Sequence, residues 1–353
     1  MLDELLFEGS FFYMKKGEGD MRTIIQAPMA GGNATPALAH AVSEAGGLGF
    51  LAGGYKTTEA LKEEIHSLRT LGTTTFGVNL FVPQAPNERT TAIEAHITAL
   101  TEEATLLGEQ VGTYVFSDDE WTEKVQLLID ERVPVVSFTF ALPSTQVIDA
   151  CKRANMYTIQ TVTTLVEAKQ AVAQGIDAIC LQGIEAGGHR AAFDDADTGD
   201  VLPLPQLVAQ FAAVLDVPII AAGGIMNGQM IRDVLDAGAT AAQLGTAFLC
   251  CPESGTKPTH IKALTSGVFT ETMLTRAYTG RIARGLANDF MKRHQEAPQA
   301  YPEMHYVSQS LRKKAAALDR PDILAMWAGV NFEQIRMMPA GELVQLLMKE
   351  ACL

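Results

Sequence analysis

His189 sits near the end of the run QGIEAGGHR, Gln182 to Arg190, and its imidazole can exchange a proton near neutral pH. Just before it, Gly187 and Gly188 let the backbone approach a bound group closely, because neither carries a Cβ. The run follows an apolar stretch, Ile176 to Leu181, so it reads as a strand end opening into a loop. A loop histidine on its own is more often solvated or structural. Its meaning depends on what else gathers around it.

Other chemistry-bearing residues recur at the ends of apolar runs. One run ends in Gln26-Ala-Pro28-Met29-Ala-Gly-Gly32, another in Ala52-Gly-Gly-Tyr55, and a third carries Asn79. Two more end in Gly223-Gly224-Ile225 and in Gln243-Leu244-Gly245-Thr246. Backbone amides at Gly224, Gly245 and Thr246 could donate to a phosphate, with a following helix N-terminus favouring its charge. The plain alternative is that each glycine pair relieves crowding where strand meets helix. Asn79 and Gln182 each offer an amide donor and acceptor, which suits the alternating edge of a flavin ring, or else the neighbouring loop backbone. No Ser–His–Asp set and no metal-ligand spacing emerges. The histidines at 40, 66, 96, 260, 294 and 305 are scattered, and His40 and His66 read as surface residues of helices.

The elements that must position these residues alternate between short apolar strands and amphipathic helices. The expected strands are 23–27, 48–52, 76–81, 135–140, 157–161, 178–182, 218–222 and 241–245. They are continuous apolar runs, as parallel strands covered on both faces require. Thr35-Pro36 predicts a helix N-cap with proline at the first helical position, and Gly46, Gly175 and Gly238 predict helix ends. Eight such units specify an α/β (β/α)8 TIM barrel, with its site at the carboxyl ends of the strands. A doubly wound sheet is the runner-up, but no GxGxxG follows the first strand. The barrel is assigned to residues 21–82 and 119–252. Residues 83–118 and 253–353 form a smaller helix-rich second domain over the barrel mouth, with helices near 90–107 and 308–318. Residues 1–20 are an N-terminal extension matching nothing that follows, which makes Met21 a candidate natural start.

Composition narrows the function further. The chain has 41 acidic and 27 basic residues, a formal net charge of −14, and no compensating basic run, which argues against nucleic acid or an anionic membrane surface as partner. No apolar stretch is long enough to span a bilayer, and no charged-then-apolar signal pattern opens the chain. The cysteines at 151, 180, 250, 251 and 352 form no CxxC, so free thiols in a reducing, cytoplasmic compartment are expected. A homodimer is left open.

Eight segments occur in order: IIQAPMAGG, GGLGFLAGG, FGVNLF, VVSFTFALP, QGIEAGGHR, PIIAAGGIMNG, QLGTAFLCCPES and TGRIARGLAN. Together they span residues 24 to about 290, with a weaker continuation to about 330, and in them the chain resembles the class I nitronate monooxygenases, formerly called 2-nitropropane dioxygenases. The resemblance implies an FMN-dependent barrel with a lid-like second domain. It places FMN contacts on Asn79, Gln182, Gly187, Gly224 and Gln243, Leu244, Gly245 and Thr246, with Pro28 and Met29 against the ring, and the catalytic histidine on His189. The implied reaction is oxidative denitrification of an alkyl nitronate by O2 to a carbonyl compound and nitrite. His189 would hydrogen-bond the anionic nitro group and take the α-proton of a neutral nitroalkane.

One departure concerns the tail. The family tends to carry a basic residue shortly after a Tyr-Pro pair, but here Tyr301-Pro302 is followed by Glu303, His305 and then Gln309 at the aligned position. That weighs against a substrate with its own carboxylate, such as propionate 3-nitronate, and leaves Arg190, Arg281 or His305 as sources of positive charge. Two rival readings share the same residues: a flavin-dependent NAD(P)H reductase of a quinone or enoyl thioester, and a non-catalytic phosphate-ligand-binding barrel.

Overall fold

The computed structural model describes residues 23–196 and 198–353; the extension 1–20 and the candidate start Met21 lie outside the described residues. From the N-terminus the chain runs β1 (Ile24–Gln26), α1 (Pro36–Glu44), β2 (Phe50–Ala52), α2 (Thr58–Thr70), β3 (Gly77–Phe81) and α3 (Thr91–Leu106). Next come α4 (Trp121–Asp130), β4 (Val135–Thr139), α5 (Thr145–Arg153), β5 (Tyr157–Val162), α6 (Leu165–Ala173) and β6 (Ala178–Gln182). A two-residue β7 (Gly188–His189) precedes α7 (Leu204–Ala212), β8 (Ile219–Ala222), α8 (Gly228–Asp236) and β9 (Ala241–Leu244). The tail holds α9 (Pro258–Thr265), β10 (Thr272–Thr275), β11 (Ala283–Leu286), α10 (Asp289–Arg293), α11 (Glu303–Ala317) and α12 (Ala340–Glu350).

Eight of these strands pair in parallel in the order β1-β9-β8-β6-β5-β4-β3-β2. A parallel bridge between Ile25 and Leu48, just before β2, joins the two ends of that order and closes the barrel. All eight expected strands are present, each within two residues of its sequence-derived bounds. The helix punctuation also holds. Thr35 accepts a hydrogen bond from the Leu38 amide at 3.0 Å with Pro36 next to it, and Gly46, Gly175 and Gly238 adopt φ of 93°, 90° and 109° after their helices.

Strand periodicity sorts the side chains into two sets. Ile179, Leu181, Ala221, Ala242 and Leu244 face outward, into the hydrophobic cluster shared with the surrounding helices. Ile25, Phe50, Val135, Ile159, Cys180 and Ile220 form a separate cluster inside the barrel. Above that inner cluster, the same inward series continues into polar residues at the strand ends.

The remaining segments build a second cluster in which α3 packs on α11, with Leu100, Tyr278, Phe290, Met304 and Leu311 fully buried. The tail is less uniformly helical than its pattern suggests. β10 and β11 form an antiparallel hairpin extended by β7, and four-residue strands are too short to show a period. The last helix, α12, returns to the barrel and packs against α1 and α8. Among the described residues no helix is long and apolar enough to cross a membrane.

Candidate active site

The inward series ends in a cavity at the carboxyl ends of the strands, with an empty volume of about 1170 Å³. Ten of the eleven residues singled out above line it: Pro28, Met29, Asn79, Gln182, Gly187, His189, Gly224, Gln243, Gly245 and Thr246. Leu244 does not. It follows inward-facing Gln243, so alternation turns its side chain into the outer hydrophobic cluster, where it is 1% exposed. Thr139 and Thr161, at the same level on β4 and β5, join the cavity wall.

Two glycine segments shape one end of the cavity. Gly223 and Gly224 adopt φ of 130° and 66°, a conformation costly to other residues, and a Cβ on Gly224 would lie 2.9 Å from the Glu185 Cβ. The amides of Gly224, Gly245 and Thr246 make no hydrogen bond to the described residues. Three half-buried amides left open together on a cavity wall mark a place for an acceptor-rich group. The helix expected after the last barrel strand is only a single 3₁₀ turn, Thr246–Phe248. Its dipole is correspondingly small, and the amides themselves are the donors.

A segment that sequence reasoning missed covers this end. Gly329 donates its amide to Thr246 Oγ1 at 3.0 Å, and Asn331 Nδ2 donates to the Gly224 carbonyl at 2.7 Å. Trp327, from the same segment, lines the cavity. A Cβ on Gly187 would lie 2.5 Å from Ala328 C and Gly329 N, so that glycine is what lets the tail lie against the loop.

The two amide side chains differ. Gln182 is committed to its own loop: Nε2 donates to the His189 carbonyl at 3.0 Å and Oε1 accepts the Ala191 amide at 2.9 Å. Asn79 Nδ2 donates to Ser137 Oγ and Thr139 Oγ1, both at 2.9 Å, while its Oδ1 makes no hydrogen bond to the described residues. Asn79 therefore retains an acceptor for a ligand, and Gln182 instead shapes the histidine loop.

His189 is held rather than loose. It lies in β7, paired antiparallel with Ala283 of β11, and Arg190 donates its amide to the Ile282 carbonyl at 2.7 Å. This is why TGRIARGLAN belongs with the site. Thr279 Oγ1–H is directed to the Arg281 carbonyl (3.3 Å), so His189 Nε2 donates to Thr279 Oγ1 at 2.9 Å and Nδ1 keeps its lone pair. The imidazole is ringed by Phe140, Tyr301 and Trp327, with centroids 5.9, 5.7 and 5.6 Å away. Phe140 itself carries φ 82°, a strained conformation for a bulky residue, at the point where it enters the cavity.

Burial, reinforced by the positive charges of Arg281 and Arg312, lowers the His189 pKa to about 3, so the ring is neutral at physiological pH. The three candidate sources of positive charge fare differently from the sequence reading. Arg190 is spent on the carbonyls of Gln182, Gly183 and Thr198. Arg281, fully buried, donates to the carbonyls of Arg190 and Ala192 and to Gln84, and lies 4.1 Å over the Phe140 ring. His305 is neutral, because burial and then Arg312 drive its pKa well below the ordinary value. Arg312, one helical turn beyond Gln309, is the cation that sequence reasoning missed, and among the described residues it has no carboxylate partner.

Neutral buried histidines make stability depend on pH. Burial lowers His96 and His260 to about 4, and His189 to about 3. Each is depressed in the fold, so the unfolded chain binds the proton first as pH falls below about 6.5, and stability is lost from there down through the folded values. Each should cost about 1–2 kcal/mol by pH 5. The melting temperature should therefore drop between pH 6.5 and pH 4, and His96→Gln should shrink the pH 7.5 to pH 5 difference. An unchanged difference would show that His96 is not buried neutral.

Comparison with known proteins settles the family. The model of the nitronate monooxygenase family matches residues 15–350. The chain belongs to the nitronate monooxygenase family. Its relatives include a probable nitronate monooxygenase of Bacillus subtilis (strain 168), 34% identical over 94% of this chain and 95% of that protein. Another from Staphylococcus aureus (strain Newman) is 35% identical over 93% of each. Nitroalkane oxidase from Streptomyces ansochromogenes superposes with a TM-score of 0.89 at 45% identity, covering 94% of this chain and 95% of that one. FabK from Thermotoga maritima is more distant, with a TM-score of 0.72, 26% identity, and coverage of 94% and 93%. As a nitronate monooxygenase family member, the chain is an oxidoreductase of nitroalkanes or their nitronates, and a flavin is the cofactor class that goes with the family.

Proposed function

We propose that this enzyme uses FMN and O2 to convert alkyl nitronates into a carbonyl compound and nitrite. The observation that carries the reading is one cavity lined both by unpartnered amides and by His189 inside an aromatic wall. A phosphate-bearing flavin fits that polarity: the amides of Gly224, Gly245 and Thr246 would hold the phosphate, with Gly187 and Gln243 beside it. Asn79 Oδ1 would accept from the ring, and Pro28 and Met29 would lie against it, while Leu244 contributes only backbone. When bound, FMN supplies the electron acceptor that the side chains lack.

The protein's own part is positioning, charge and a proton. Gln182 fixes the backbone of the histidine loop, and Thr279 fixes the ring, so that Nδ1 is free to take an α-proton from a neutral nitroalkane. Arg281 and Arg312 place positive potential at the same point, which favours an anionic substrate over a neutral one. The aromatic wall excludes water and strengthens both effects. In this reading residues 83–118 and the tail ahead of α12 act as the lid domain over the mouth, while α12 stays with the barrel. The reading is tested by releasing the bound chromophore and measuring its mass, together with O2 consumption on propyl-2-nitronate. FMN and one nitrite per nitronate consumed are expected. A colourless protein, or consumption without nitrite, would contradict the assignment.

A further inference from the structure

Tyr55 stands just beyond β2, and its ring lines the main cavity. Its backbone is unusual: φ is 65°, and Asp119, which faces it, also adopts a left-handed φ of 59°. Asp119 Oδ1 accepts the Tyr55 amide at 2.9 Å. Gly54 permits the placement, since a Cβ there would lie 2.2 Å from the Phe81 ring. Strain concentrated around one cavity side chain indicates that the surrounding structure fixes where that side chain points.

The phenol is polarised from behind. The Tyr55 ring stacks on His305 with centroids 3.9 Å apart and planes 3° off parallel. Arg312 donates to His305 Nδ1 at 3.2 Å and to its carbonyl at 2.9 Å, so a cation without a carboxylate partner among the described residues sits behind that stack. Tyr301 Oη donates to Tyr55 Oη at 3.0 Å. The Tyr55 oxygen is thus an acceptor toward Tyr301, and its own proton finds no acceptor among the described residues. A phenolic O–H with its lone pair engaged, in a cavity of positive potential, is a donor waiting for an oxyanion.

We propose that Tyr55 is a substrate-binding residue, donating its phenolic O–H to an oxygen of the nitronate and selecting the anion over the neutral nitroalkane. The inference rests on the proposed function for its substrate, but the anion site it describes can be tested separately. Three planar oxygens make nitrate a mimic of the nitronate head, and calorimetric titration of the purified holoenzyme with sodium nitrate reads binding without turnover. A hydrogen bond to a charged group corresponds to roughly 10-fold or more in affinity. Tyr55→Phe should therefore raise the nitrate Kd and the KM for propyl-2-nitronate by about 10-fold, while changing kcat on the nitronate and the KM for neutral 2-nitropropane by less than about 3-fold.

Tyr301→Phe keeps the Tyr55 donor and should weaken nitrate binding by less than Tyr55→Phe does. If Tyr55→Phe leaves nitrate Kd and nitronate KM within about 2-fold of the parent, the inference is overturned. It is equally overturned if Tyr301→Phe has the larger effect. Nitrate binding that depends on Tyr55, in an enzyme that fails to oxidise nitronates, would support the anion site and refute only the proposed reaction.

Discussion

His189→Asn should lower kcat/KM for neutral 2-nitropropane by about 10²- to 10⁴-fold, the usual contribution of a positioned base. On preformed propyl-2-nitronate, where no proton need be removed and the neutral ring has already given its one N–H to Thr279, leaving none for the nitro group, the loss should stay within about 3-fold. Asparagine cannot take the proton, so the two substrate forms separate proton transfer from the other demands of the site. The ring is a weak base in the free enzyme, with a pKa of about 3 set by burial and then by Arg281 and Arg312. The same cations stabilise the negative charge that develops on the nitro group as the proton leaves. The field therefore weakens the base while strengthening the acid, and the preformed anion gains most. The nitronate should accordingly be the better substrate of the parent enzyme. Equal losses on both forms would remove the proton-transfer role from His189, and no loss on either would remove His189 from the site.

Arg281→Met should be the most damaging single substitution in the loop region. The guanidinium is fully buried and donates to the carbonyls of Arg190 and Ala192 and to Gln84 Oε1, with Asp195 Oδ1 3.9 Å away. Methionine fills the space but leaves those acceptors unpaired, and Asp195 keeps only Arg276 and the Ile282 amide. Breaking such a buried charged network costs about 3 kcal/mol or more. That corresponds to a fall in melting temperature of roughly 4–7 °C for a chain of this size. The loss reaches function because Arg281 ties down Arg190 and Ala192, in the segment that follows His189. Displacing the imidazole by about 1 Å can cost on the order of 10² in rate. Arg281→Lys should not rescue it, since an ammonium cannot span three acceptors in one plane. A variant with unchanged melting temperature and activity would show that the arginine does not hold the loop.

The eight barrel strands and their helix ends were legible because each leaves a local mark. Apolar runs such as Ala178–Gln182 and glycines such as Gly175 carry their conformation in their own chemistry. The cavity lining followed from strand-end position; the Leu244 side chain alone lies off it, because the two-residue period turns it outward. The short strand at His189 was invisible, since two residues show no pattern and the partner, Ala283, is remote in sequence. Arg312 was missed, and Tyr55 stood at a strand end without a role, for a related reason. Nothing local marks an arginine as buried without a carboxylate, or a tyrosine as stacked on a histidine 250 residues later. The glycine pair before Tyr55 was the one signal that could have pointed to it.

The central claim is that electrons enter this enzyme from a nitronate. An anaerobic absorbance titration of the purified yellow protein tests it most directly, with propyl-2-nitronate in one cuvette and NADH in another. The account predicts that nitronate perturbs and reduces the flavin bands while NADH leaves them unchanged. Full bleaching by NADH with no response to nitronate would contradict it, and would make the same barrel a reductase.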